Sequence, residues 1–236
     1  MPETIAHFQL LEPMGRGTLG ELHRARDLEL GRTVALRLVG PAFAADPGAC
    51  RAVLSRARLV SSLLHPAVAA VYECGEDAGQ VYVASEFVPG QRLAAMVSGS
   101  PLHPRRALDL AAQIADGLAA AHALELLHGA LSSAAVIVTP KGAAKILDVG
   151  MCDWTGATGQ MRLDDGVGLG AVLFEMLVGR PLKHGWPGEL RLSQIPAEAK
   201  PVLQALTSSR EGERYESMAT AAAALRELAE AFEARR

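Results

Sequence analysis

The 236-residue chain has few aromatic residues, few cysteines and no excess of charge of one sign. Its 23 basic and 26 acidic residues give a formal net charge of −3, so charge offers no attraction to nucleic acid or to an anionic membrane surface. The three cysteines, Cys50, Cys74 and Cys152, are odd in number and scattered, which is typical of neither a disulfide framework nor a zinc site. We therefore expect a reducing, cytoplasmic location.

Long apolar runs are missing as well. The first 13 residues hold no basic region followed by an apolar run, so we expect no signal peptide. The longest apolar stretch, Val167 to Val178, contains Glu175 and is too short to span a bilayer. It predicts a buried helix, and we expect no membrane segment in this chain. Half of the residues are apolar, and a chain of this length can bury the core of one large or two-lobed domain.

The first 88 residues predict five strands and one helix. The helix begins at the N-cap Asp46 and ends near Leu64. The strands are 8–14, 19–25, 33–39, 67–73 and 80–87. The first two flank a G-x-G-x-x-G segment, residues 15–20, where a dinucleotide-binding fold would need a helix to follow. The segment predicts either a flap that covers phosphates with its backbone or, taken alone, a simple glycine-bearing hairpin.

The pattern changes to helices after Pro89-Gly90. We predict helices over residues 104–126, 165–179, 197–208 and 217–235. The stretch from His128 to Gly150 predicts a loop, two short strands and an Asp-Val-Gly corner. A β-rich part followed by a helical part indicates an α+β domain over residues 1–236, with an N-lobe of about 1–88, a C-lobe of about 89–236 and a cleft between them.

Eight motifs from Phe8 to about Leu228 together resemble a protein kinase domain, most of all the bacterial Ser/Thr kinases of eukaryotic type. In order they are the glycine flap, V-A-L-R at 34–37, the helix ending in His-Pro at 65–66, E-F-V at 86–88, the long helix, H-G-A-L at 128–131, K-I-L-D-V-G at 145–150 and D-x-x-x-L-G at 165–170. The resemblance implies a bilobal kinase fold, with a five-stranded antiparallel N-lobe carrying one helix and a mainly helical C-lobe.

The resemblance also implies where phosphoryl transfer would occur, and most of those positions are substituted. Ala130 stands where the family has the aspartate that accepts the substrate proton, Ser132 where it has a lysine, and Ala135 where it has an asparagine that binds magnesium. A methyl group can neither accept a proton nor bind a metal. Loss of the general base alone reduces the rate by roughly 10²–10⁴. We therefore expect no intact catalytic residue in this loop.

The implied nucleotide site keeps more of its residues. Arg37 replaces the lysine that holds the phosphates, Arg56 replaces its glutamate partner, and Asp148 retains the magnesium aspartate. The remaining predicted site residues are Gly15, Gly17 and Gly20 in the flap, Leu22, Ala35 and Ile137 around a purine, and the backbone of Glu86 and Val88 at its edge. Asp148 could bind Mg²⁺ weakly as a single ligand or form a salt bridge with Arg37 or Arg56. The salt bridge is the favoured prediction, so binding of ATP and Mg²⁺ stays open.

Two further features concern the segment after Gly150 and the packing between lobes. Only fourteen residues, 151–164, precede the D-x-x-x-L-G helix, and no A-P-E motif is present, so the resemblance implies a truncated activation segment. Arg214, which would pair with the glutamate of that motif, must bind another group or face water. The implied column of buried side chains linking the lobes consists of His128, Val60, Val71 and Val149.

These observations leave three functional interpretations. The favoured one is a catalytically impaired kinase-like domain that acts in signalling or as a scaffold through protein partners of unknown identity. The second is an ATP-binding regulatory switch without phosphoryl transfer. The third is a divergent active Ser/Thr kinase that uses another base.

Overall fold

The computed structural model describes residues 3–17, 19–40, 46–150, 164–181, 195–208 and 210–233. The N-lobe contains β1 (Thr4–Ile5), β2 (Phe8–Gly17), β3 (Gly20–Asp27), β4 (Arg32–Val39), α1 (Pro47–Val60), β5 (Val71–Asp77) and β6 (Gln80–Glu86). These strands form one antiparallel sheet in the order β1-β2-β3-β4-β6-β5. The five predicted strands and the single helix are present as β2–β6 and α1. The sheet has a sixth strand, β1, which was not predicted. Its two residues are too short to show a period of two.

Strand β4 has two different faces. Val34 and Leu36 are fully buried in a small core with Phe8, Ala25 and Tyr82 on the outer side of the sheet. Ala35 and Arg37 point to the opposite side and line the cleft between the lobes. The alternation predicted for residues 33–39 is therefore confirmed, and it places an arginine on the inner face of a central strand.

Helix α1 begins as predicted and ends four residues early. The Asp46 carboxylate accepts a hydrogen bond from the backbone N–H of Gly48, and Pro47 occupies the first turn. At the other end, the hydroxyls of Ser61 and Ser62 donate to the carbonyl oxygens of Arg58 and Leu59. Such side-chain bonds compete with helix continuation, so the helix ends at Val60 and not at Leu64.

The C-lobe is built on a long central helix. Its elements are β7 (Gln91–Arg92), α2 (Leu93–Val97), α3 (Pro104–His122), β8 (Val136–Val138), β9 (Ala144–Ile146), α4 (Asp165–Val178), α5 (Lys200–Thr207) and α6 (Met218–Glu233). Strands β7, β8 and β9 form a small antiparallel sheet. Helix α3 packs on α4 and α6, and its many buried alanines allow this close approach.

Several helices and strands begin or end at residues other than those predicted. The strand predicted over 67–73 begins only at Val71, and the helix predicted over 104–126 ends at His122. Beyond that helix, Glu125 has a φ of +58°, a left-handed conformation that breaks the helix. The helix predicted over 197–208 opens with one 3₁₀ turn, Ala197–Ala199. Within the described ranges, no helix combines the length and the apolar character required to cross a membrane.

Candidate functional site: the cleft between the lobes

A cavity of about 200 Å³ lies between the two lobes. Its roof is the β2–β3 hairpin and β4, its back is β6, and its floor is β8 and the Asp148 corner. Of the ten predicted nucleotide-site residues, nine line this cavity: Gly15, Gly17, Leu22, Ala35, Arg37, Glu86, Val88, Ile137 and Asp148. The fold thus brings together residues that are separated by more than 130 positions in the sequence.

Gly20 is the exception. It is buried with a φ of +131°, and a Cβ at this position would overlap the carbonyl oxygen of Leu38 and lie 2.6 Å from the nitrogen of Gly40. Gly20 is also not among the described residues that line the cavity. Its lack of a side chain lets β3 approach the end of β4, which is a structural role.

Arg37 and Asp148 form an ion pair across the cleft. Nη2 of Arg37 donates to both carboxylate oxygens of Asp148, at 3.0 and 3.1 Å. Arg37 is 8% exposed, whereas the Asp148 side chain is 46% exposed. The predicted salt bridge is therefore present. Asp148 itself has a φ of +58°, which aspartate tolerates better than most residues and which turns its carboxylate toward β4.

Arg56 does not simply point into solvent. It is half-buried on α1, and a Cβ built on Gly150 would lie 3.9 Å from its Nε. The guanidinium therefore lies beside the Asp-Val-Gly corner. The structure thus brings both predicted arginines to this corner, where Asp148 is paired with Arg37.

The loop that would carry catalysis contains no ionisable side chain at the substituted positions. Ala130 and Ser132 are exposed, and Ala135 is half-buried just before β8. The loop is nevertheless held firmly in place. Asp165, at the start of α4, accepts hydrogen bonds from the backbone N–H groups of His128 and Gly129, at 2.9 and 2.8 Å.

Asp165 is a structural residue whose role we did not predict, although its motif was recognised. Its side chain is 1% exposed and also accepts a hydrogen bond from Nε2 of His122, at 2.8 Å. Burial would raise the pKa of Asp165, but the hydrogen bonds from His122, Gly129 and His128 outweigh it and the pKa lies below its ordinary value. A charged carboxylate thus joins α3, α4 and the loop.

His128 belongs to the packing of the lobes and not to the chemistry. It is 3% exposed, and its Nδ1 accepts a hydrogen bond from the N–H of Ala130 at 3.3 Å. Burial lowers its pKa, which favours the neutral ring. Val60 and Val149 are equally buried, and Val71 is half-buried against the same core. All four residues of the implied column are thus buried or half-buried, and Val60, Val71 and Val149 also line the cavity.

A second, partly buried charge pair lies behind the cavity. Nζ of Lys145 donates to Oε2 of Glu86 at 2.6 Å and to the carbonyl oxygen of Val68 at 3.2 Å. The N–H of Glu86 donates to the carbonyl oxygen of Ala70 at 2.8 Å, so it is not available to a ligand. The predicted purine contact at Glu86 must accordingly use its carbonyl group. Lys145 stands in the K-I-L-D-V-G motif, but the motif alone did not indicate its partner.

A magnesium ion does not fit the residues of the cleft. Both oxygens of Asp148 already accept from Arg37, and the second ligand position of the resemblance is Ala135. Across the described ranges, no group of three His, Cys, Asp or Glu side chains could hold a metal ion. Hard cations such as Mg²⁺ require several oxygen ligands in a defined geometry. The predicted weak metal site at Asp148 thus has no supporting geometry.

Arg214 forms an ion pair with Asp164 and a hydrogen bond with the backbone of Ser208. Its Nη1 donates to Oδ2 of Asp164 at 2.7 Å, and its Nε donates to the carbonyl oxygen of Ser208 at 2.6 Å. Asp164 is also the N-cap of α4, accepting from the N–H groups of Gly166 and Val167. The truncated activation segment falls largely on residues 151–163, which lie outside the described residues, as does Cys152.

The family profile of the protein kinase domain matches residues 8–168 of the chain. The chain belongs to the protein kinase family. This kinase domain is 33% identical to the Serine/threonine-protein kinase pkn2 of Myxococcus xanthus over 147 residues, covering 61% of the chain and 18% of the relative. It is 30% identical to the Serine/threonine-protein kinase PknB of Mycobacterium tuberculosis over 204 residues, covering 74% and 33%.

Solved kinase structures confirm the fold. The crystal structure of the PknI kinase domain of Mycobacterium tuberculosis aligns with a TM-score of 0.79 at 21% identity, covering 96% of this kinase domain and 98% of the PknI chain. The predicted α+β bilobal architecture is therefore confirmed. The chain spans only 18 to 33% of the length of the relatives described above, so the likeness concerns their kinase domains.

Proposed function

We propose that this kinase domain does not transfer phosphate and acts in signalling or as a scaffold by binding partner proteins. The observation that carries the proposal is the ion pair between Arg37 and Asp148, combined with a loop that has Ala130 at the position of the base. The first occupies the carboxylate that would organise a metal, and the second removes the proton acceptor. Phosphoryl transfer depends on both functions.

The retained groups support a role that needs the fold but not the chemistry. The buried contacts of Asp165 and His128 hold the loop and helices in position, and the kinase architecture is retained over almost the whole chain. A partner protein that binds one relative position of the two lobes more tightly than another would respond to the conformation of the domain. We propose that this domain is located in the reducing cytoplasm, because the thiol of Cys74 is not in a disulfide.

Phosphate transfer tests the proposal directly. The purified chain is incubated with γ-labelled ATP and either Mg²⁺ or Mn²⁺, alone and with a general protein substrate, beside an active Ser/Thr kinase domain as positive control. We expect no incorporation above background. Incorporation that disappears in Asp148→Ala would be this chain's own activity, and it would establish the divergent-enzyme interpretation in place of ours.

A regulatory nucleotide site is the second candidate function, and the cavity itself favours it. Nine predicted site residues surround a space of about 200 Å³, with apolar side chains at Leu22, Ala35 and Ile137. A ligand that binds only the folded state raises the melting temperature by mass action. A titration with ATP should therefore raise the melting temperature, and the absence of any shift at millimolar ATP would eliminate this candidate.

A further inference from the structure

We infer that the cleft binds the phosphate groups of a nucleotide without a metal ion, through Arg37 and the glycine flap. The inference rests on the proposed function only in treating the cleft as a binding site and not as a catalytic one. This metal-free binding differs from what the family resemblance implies, since in the family Mg²⁺ links the aspartate to the phosphates. Here the residues of the cleft do not fit that ion, whereas they do fit an anion.

The first step is the charge of the cavity wall. Three arginines line it, Arg16, Arg37 and Arg92, against two carboxylates, Asp148 and Glu86. Both carboxylates are already paired with cations, Asp148 with Arg37 and Glu86 with Lys145. With three arginines against two carboxylates, the charged side chains of the wall carry an excess of one positive charge, which favours an anion over a cation.

The second step is the geometry of Arg37. Its Nη2 donates to Asp148, which leaves Nε and Nη1 for other acceptors. Nε is buried and has no hydrogen-bond partner among the described residues. Nη1 lies beneath the flap, 3.5 Å from the position of a Cβ on Gly17. The hydrogen-bonding capacity of this guanidinium is thus not filled by protein groups, and Nη1, beneath the flap, is the group that an acceptor from a ligand would contact.

The third step is the opening above this guanidinium. Gly15 lines the cavity, and nothing lies within 4 Å of a Cβ built on it, so open space borders the flap at that residue. Arg16 is exposed beside it and forms an ion pair with Glu21. A phosphate under the flap would thus lie between a buried guanidinium below and an exposed one at the rim. Arginine suits this role because its planar fork binds phosphate oxygens in pairs.

The decisive measurement is the affinity for ATP with EDTA compared with ATP and Mg²⁺, by isothermal titration calorimetry. We expect binding in EDTA that is at least as tight as in Mg²⁺, because the metal would neutralise the charges that Arg37 recognises. Adenosine should bind more weakly than ATP. Binding more than about threefold weaker in EDTA, no binding at all, or equal affinity for adenosine would each overturn the inference.

Two variants separate the arginine from the aspartate. Arg37→Met should weaken ATP binding in EDTA roughly tenfold to a hundredfold, because it removes a charge-assisted contact. Asp148→Asn should leave that affinity unchanged or tighten it, since it releases Arg37. Arg105→Met, which removes a half-exposed arginine on α3 outside the cavity wall, is the matched control and should change nothing.

Each result has one meaning. A loss of ATP affinity in Asp148→Asn, whether measured in Mg²⁺ or in EDTA, would show that the nucleotide needs this carboxylate, and would overturn the inference. Should Arg37→Met fail to fold, the EDTA comparison and Asp148→Asn still decide it. None of these results measures phosphate transfer, so a failure here leaves the proposed absence of catalysis standing, and the transfer assay tests that separately.

Discussion

Arg37 and Asp148, 111 residues apart in the sequence, are joined by two hydrogen bonds from one guanidinium nitrogen across the cleft. The pair links the central strand of the N-lobe to the floor of the C-lobe. It therefore contributes to the relation between the lobes as well as to the chemistry of the cleft.

A double-mutant cycle should detect this link in the free energy of unfolding. We expect Arg37→Met and Asp148→Asn to be coupled by about 1 kcal/mol in urea denaturation, because one partner is buried and the other is half-exposed. The Arg105–Asp109 pair on α3, with both side chains half-exposed and a separation of 3.8 Å, is the control and should show a coupling below about 0.5 kcal/mol. Equal coupling energies in the two cycles would contradict the prediction.

Adjacent aspartates at the start of α4 should differ sharply in their contribution to stability. Asp165→Ala leaves the N–H groups of His128 and Gly129 without an acceptor, and we expect a loss of about 3 kcal/mol in the free energy of unfolding. Asp164→Ala removes an N-cap and an exposed contact with Arg214, and should cost about 1 kcal/mol. Chemical denaturation of both variants measures the difference. An equal loss would show that the loop is not anchored by Asp165.

His128 should make the stability depend on pH. Because burial lowers its pKa, folded His128 stays neutral while the unfolded chain binds a proton as the pH falls below about 6.5. The free energy of unfolding should therefore decrease between pH 7.5 and pH 5.5, and His128→Leu should reduce that decrease.

The exposed His103 provides the control for this measurement. His103→Leu should keep the pH dependence of the unmodified chain. Thermal or urea unfolding at the two pH values checks both variants. If His128→Leu has the same pH dependence as the unmodified chain, another group is responsible.

Two glycines of the flap should respond differently to alanine. Gly20→Ala should lower the free energy of unfolding by roughly 3 kcal/mol, because its Cβ would meet the backbone of Leu38 and Gly40. Gly15→Ala has open space around it and a φ of +144°, so it should cost only the backbone strain, about 1–2 kcal/mol. Melting temperatures give the order of the two. The reverse order would mean that Gly20 tolerates a side chain by moving β3.

Much of this fold was readable from local patterns. The alternation of Val34, Leu36 and Leu38, the Asp46-Pro47 helix start and the apolar helix after Asp165 each specify an element within a few residues. The ends of those elements were less readable. Ser61 and Ser62 ended α1 through side-chain hydrogen bonds, which the periodicity of apolar residues does not register.

The cleft between the lobes shows the same division. Its residue types were predicted from motifs, and nine of the ten residues do line one cavity. Gly20 lies instead against the backbone of Leu38 and Gly40. A glycine needed for a ligand and one needed for close strand packing look alike in a sequence. The partner of Lys145 was not predicted either, since Glu86 is 59 residues away in the sequence and meets Lys145 only in the folded chain.

The sequence by itself determined which chemical groups are absent from the catalytic loop, because an alanine at position 130 or 135 has no functional group in any conformation. It also determined that Arg37 lies on the opposite face of its strand from Val34 and Leu36, through the period of a strand. Only the tertiary structure decided what Arg37 binds. Pairing with Asp148 depends on how closely the two lobes approach, and that distance results from long-range packing that no local pattern encodes.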